Sequence, residues 1–167
     1  MKKLLIYGLL LVVFFVNMGA GCGNDTTETP DPDNFTSLLG KWEAIRARYE
    51  ITKQDGSEIS SGPELKSKGV IIIWEFFKDG RMVATMDGQR REVRWELKVT
   101  RLSGKDIDVG QLKIIGKEEK ELAQSLGQSG DLTYDIELKD NIMYLKVDAT
   151  SQGPYKKNIL VYTYARL

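Results

Sequence analysis

The stretch QRREVRWELKVTR at residues 89–101 decides the fold. Val93, Trp95, Leu97 and Val99 occupy alternate positions, and Arg90, Glu92, Arg94, Glu96 and Lys98 fill the places between them. Successive side chains of a strand point to opposite faces, so this pattern makes one face apolar and the other solvated. The charges alternate in sign along the outer row, which reads as a wet face and not as a binding patch.

The neighbouring segments follow the same rhythm. Asp87-Gly88 is a two-residue hairpin turn that joins 89–101 to a strand at 81–86. Lys78-Asp79-Gly80 connects that strand to 70–77, the most apolar run of the domain. Downstream, Ser103-Gly104 leads to a strand at 107–115, and further strands are expected at 131–138, 142–149 and 158–166, with Lys139-Asp140-Asn141 as a turn and Gly153-Pro154 in a loop. A first strand covers 41–53 and ends at Gln54-Asp55-Gly56, while the polar 57–69, with Pro63 inside it, reads as a long loop. Residues 117–126, KEEKELAQSL, break the rhythm: helix formers dominate, Leu122 and Leu126 lie four apart, and Gly127 follows, so a short helix is expected. Eight strands on short turns predict an all-β domain, an eight-stranded antiparallel up-and-down barrel with one short helix, or else a meandering sandwich.

Alternation also assigns an interior. Leu132, Tyr134, Ile136 and Leu138 form one inward set, and Met143, Leu145 and Val147 another. In 70–77 the apolar face is Val70, Ile72, Trp74 and Phe76, yet Ile71, Ile73 and Phe77 also need cover, from the helix or from a partner. The first strand holds a conflict of phase. With Trp42 inward, strict alternation brings Arg46 and Arg48 in as well; with Ile45, Ala47, Tyr49 and Ile51 inward, Trp42 falls out of step. A bulge near Glu43 reconciles the two. Without it, Arg46 and Arg48 line the interior and predict an anionic ligand such as a fatty acid.

The N-terminus carries an address. Lys2 and Lys3 precede an unbroken apolar and glycine run over residues 4–16, and Gly19, Ala20 and Gly21 are small, the layout of a signal peptide over 1–21. Gly19-Ala20-Gly21-Cys22 resembles the lipobox of bacterial lipoproteins, with Gly19 where the usual box has Leu, Val or Ile. That resemblance implies acylation of Cys22, the single cysteine, and two or more acyl chains anchor a protein stably. Residues 22–34 then form a lipidated, flexible, weakly acidic tether, since 23–34 contain Pro30 and Pro32 and nothing that could be buried. The domain proper spans 35–167.

Leu38-Leu39-Gly40-Lys41-Trp42 resembles the G-x-W motif of lipocalins, and Phe76-Phe77-Lys78-Asp79-Gly80-Arg81 with Trp95 resembles lipocalin-like domains of Bacteroidetes-type lipoproteins. The resemblance implies that Gly40 and Trp42 sit at the closed end of a barrel and that Arg166 packs over the tryptophan by a cation–π contact. It also implies an outer-membrane envelope location, in the periplasmic or surface leaflet.

Chemistry is sparse. The chain has no histidine, which removes serine–histidine, cysteine–histidine and histidine–metal arrangements within it. Asp106/Asp108 and Glu118/Glu119 are the nearest carboxylate pairs, and both read as solvated. Basic and acidic residues balance at 24 each, which gives no nucleic-acid footprint. No enzyme activity, cofactor or metal is expected. The expected role is binding of a small apolar or amphipathic ligand by Arg46, Arg48, Tyr49, Trp74, Trp95, Tyr134 and Met143, or alternatively a scaffold role in an envelope complex, with a filled barrel and a patch at Ile71, Ile73 and Phe77.

Overall fold

The computed structural model describes residues 36–167, so the signal segment, Cys22 and the tether lie outside the described residues. Among the described residues nine strands form: β1 (Gly40–Thr52), β2 (Glu58–Ser61), β3 (Ile72–Phe76), β4 (Arg81–Met86), β5 (Gln89–Ser103), β6 (Asp106–Ile115), β7 (Leu132–Lys139), β8 (Ile142–Asp148) and β9 (Lys157–Arg166), with one α-helix, α1 (Lys117–Ser125), between β6 and β7. Every neighbouring pair is antiparallel. β9 returns to pair with β1 from Trp42↔Arg166 to Thr52↔Lys157. β1 and β3–β9 thus make a closed eight-stranded barrel, which leaves the ring without a free edge.

β2 is the ninth strand, inside the stretch read as a loop. All four of its residues are exposed, so no apolar alternation announces it; pairing with the upper half of β1, from Tyr49↔Ser61 to Thr52↔Glu58, creates it. The chain between β2 and β3 also runs along β1. Leu65 N–H donates to the Ile45 carbonyl at 3.0 Å, and the Leu65 side chain is buried.

Gly62 is where that segment crosses closest. A Cβ there would lie 2.0 Å from the Ala47 carbonyl oxygen and 2.3 Å from Arg48 Cα, both backbone atoms that cannot swing aside. Gly62→Ala is therefore expected to lift the segment and expose Leu65, at about 1–3 kcal/mol, the usual range for overpacking. A urea midpoint equal to that of the wild type would refute it.

The phase conflict in β1 resolves by a bulge. Ala44 pairs with Tyr164 and Arg46 with Thr163, so Ile45 is the extra residue, two positions beyond Glu43. Trp42 and Ala44 point inward before it, and Ala47 and Tyr49 pack on the core after it. The inward sets of β5, β7 and β8 are those of the alternation: Val93, Trp95, Leu97, Leu132, Tyr134, Ile136, Leu138, Met143, Leu145 and Val147 are all buried, and Val99 is half-buried.

The closed end is built on Trp42, which is fully buried. Its Nε1–H donates to the Leu38 carbonyl at 2.8 Å. The Arg166 guanidinium lies over its ring at 4.6 Å from the centroid, donates to the Leu39 carbonyl at 3.0 Å, and reaches the Ser37 carbonyl. Gly40 holds a φ of +108°, with its missing Cβ facing Arg166 Nη1. A side chain there would be strained by that backbone conformation.

Candidate functional site

The other half of the barrel contains a cavity of about 90 Å³. β6 ends at Ile115, opposite Arg94, so residues 89–93 of β5 have no β6 partner, and the first turn of α1 reaches them through Arg91. The face of the helix toward the barrel is Glu119, Leu122, Ala123 and Leu126: Ala123 and Leu126 are buried in the core, and Glu119 and Leu122 line the cavity. The opposite wall is aromatic. Trp74 packs against Tyr164 at 5.0 Å and against Tyr134 edge-on at 6.1 Å, and Tyr134 meets Tyr162 at 6.5 Å.

A charged cluster closes one side. Arg91 pairs with both Glu118 and Glu119. The Glu119 side chain is only 5% exposed, and burial raises its carboxyl above the usual range, against the lowering pull of Arg91. An open surface groove, flanked by Arg81, Glu92 and Lys117, shares Arg91, Glu118 and Glu119 with the cavity. The ion-pair cluster is the partition between inside and outside.

Three tyrosines, Tyr134, Tyr162 and Tyr164, line the cavity. Burial pushes Tyr134 and Tyr164 far above their ordinary range and raises Tyr162 as well, so all three stay neutral. Among the described residues no hydrogen bond reaches these hydroxyls. A hydroxyl without a protein partner is open to water or to a ligand.

Of the residues expected to bind, Trp74 and Tyr134 line the cavity. Trp95 and Met143 are packed core; Trp95 Nε1–H donates to the Phe77 and Arg81 carbonyls at 3.3 and 3.1 Å. Tyr49 packs on the core away from the cavity. Arg46 and Arg48 do not line the interior, because the bulge turns them outward: Arg46 binds Glu64 with Nε–Oε1 of 2.6 Å, and Arg48 binds Glu50 at 2.8 Å. Their anion-binding reading goes with that phase.

Of the Glu118/Glu119 pair, both meet Arg91, but only Glu119 departs from the solvated reading: it is buried, whereas Glu118 stays about a third exposed. Arg91 itself shares the parity of Val93 and Trp95, and that in-phase charge was the available signal. Asp106 and Asp108 sit at the start of β6, where Asp108 meets Arg101 at 3.2 Å. Of Ile71, Ile73 and Phe77, Ile71 is exposed, the others are half-buried, and the Arg81 guanidinium covers Phe77 at 4.5 Å. Set against family models, curated proteins and solved structures, the chain matches none of them.

Proposed function

We propose that this chain is a lipid-anchored envelope lipoprotein whose barrel is a non-catalytic binding module for one small amphipathic ligand. The observation that carries the ligand reading is the cavity itself, walled by Trp74, Tyr134, Tyr162 and Tyr164, with no hydrogen bond to the tyrosine hydroxyls among the described residues. A well-filled scaffold barrel would place apolar atoms or protein acceptors at those positions. The volume limits the ligand. Pockets for drug-sized molecules run to about 300–1,000 Å³, and about 90 Å³ is well below that. Each water needs roughly 10–15 Å³ of such space, so the cavity suits a molecule of roughly half a dozen heavy atoms.

The anchor rests on the lipobox-like Gly19 to Cys22 after an export-type leader. Native mass spectrometry of the full-length chain extracted from membranes tests both parts. The expected spectrum shows acyl mass at Cys22 and a small retained adduct that Tyr164→Phe weakens. An unmodified cysteine removes the anchor. A bare chain that takes up no small probe removes the ligand.

A further inference from the structure

Among the described residues lining the cavity, Arg91 is the single cation and Glu118 and Glu119 are two carboxylates, so this lining carries one surplus negative charge. An anion entering here would have to displace Glu119 from Arg91, and a neutral molecule would leave the surplus uncompensated. The remaining wall is rich in rings, with Trp74, Tyr134, Tyr162 and Tyr164 in mutual contact. Ring faces attract cations, by about 0.5–1 kcal/mol at exposed sites and about 2 or more where water is excluded. Tyr134 and Tyr164 are more than nine-tenths buried, and their hydroxyl oxygens, with no hydrogen bond among the described residues, add acceptor dipoles to the same space.

Resting on the ligand reading above, we infer that the cavity takes a small organic cation, an alkylammonium, held by the tyrosine and tryptophan rings and balanced by Glu119. Charge, aromatic lining and volume agree on this class. Tetramethylammonium, with roughly half a dozen heavy atoms, is within the size allowed by the roughly 10–15 Å³ that each water requires. Entry is from the outer groove, through the Arg91–Glu118–Glu119 partition.

The test is calorimetric titration of the full-length, detergent-solubilised chain with tetramethylammonium, with its uncharged isostere tert-butanol, and with acetate. Tetramethylammonium is expected to bind at least about tenfold more tightly than tert-butanol, the equivalent of about 1.4 kcal/mol. Glu119→Gln is expected to abolish that preference. The wild type supplies a second readout that needs no variant: affinity for the cation rises with pH as Glu119 ionises, and affinity for tert-butanol stays flat. The groups facing Glu119 in that titration are Arg91 from β5, Glu118 on its own helix and Tyr134 from β7. A preference for acetate, or equal binding of cation and isostere, overturns the inference and leaves a ligand site standing. No binding by any of the three overturns both. A preference that does not change with pH or with Glu119→Gln removes Glu119 as the counter-ion.

Discussion

Trp42→Ala is expected to cost about 3–5 kcal/mol, the range for removing a buried large aromatic side chain. Three losses coincide there. The indole is fully buried and fills the closed end of the barrel. Its Nε1–H satisfies the Leu38 carbonyl, which would be left in a dry environment. The Arg166 guanidinium, stacked over the ring, would lose the surface that holds it in place to bind the Ser37 and Leu39 carbonyls. Since Trp42 pairs in register with both Trp74 of β3 and Arg166 of β9, it also sits on the seam where β1 joins its two neighbours. Single domains are typically stable by only 5–15 kcal/mol, so the variant should be partly or wholly unfolded at 37 °C. Chemical denaturation followed by the remaining tryptophans, Trp74 and Trp95, measures it. A loss below about 1 kcal/mol would show that the closed end repacks and that Trp42 is not its keystone.

Arg91→Met should be the second most damaging change, and its size should depend on pH. Breaking a buried pair by removing one partner costs about 3–5 kcal/mol. Glu118 is about a third exposed and is screened by water, so the penalty falls mainly on Glu119. The sign follows from linkage. Glu119 already has a raised carboxyl pKa from burial, and without Arg91 the opposing pull disappears, so the folded state holds the proton more tightly than the unfolded chain does. A folded state that binds more protons loses stability as pH rises. The variant is therefore expected to be least stable above the raised value and to recover as pH falls toward the ordinary value of 4.5. Arg91→Met/Glu119→Gln should restore much of the loss at pH 8, because no buried charge remains. Urea midpoints for the single and double variants at pH 5 and pH 8 decide it. A loss independent of pH, or a double variant less stable than the single one, would mean that the guanidinium acts by packing and not by charge.

Both residues bear on function through position. Trp42 lies at one end of the barrel, and among the described residues the charged side of the cavity is the Arg91 cluster. α1 lies between β6 and β7 in the chain, and its acidic first turn meets Arg91 of β5. Acidic residues at a helix N-terminus also suit the helix dipole. The same contacts that seat the helix thus define the mouth of the site.

Much of the architecture follows from local sequence. The alternation of 89–101, 131–138 and 142–149 set the inward faces; Asp87-Gly88, with both residues at positive φ, set a hairpin register; and KEEKELAQSL marked the helix within a residue of its observed end. These are properties of a single segment, because a strand's two faces and a turn's backbone are chosen by residues within a few positions of one another. Tertiary structure decided the rest. β2 exists through the edge of β1 and not through its own side chains. Ile45 is the bulge because Trp42 must meet Arg166 while Ala47 and Tyr49 must meet the core. Arg91 and Glu119 lie 28 residues apart, and nothing local pairs them. The volume of the cavity is what remains after side chains from six strands and a helix have packed, a difference between large filled volumes that no single segment encodes.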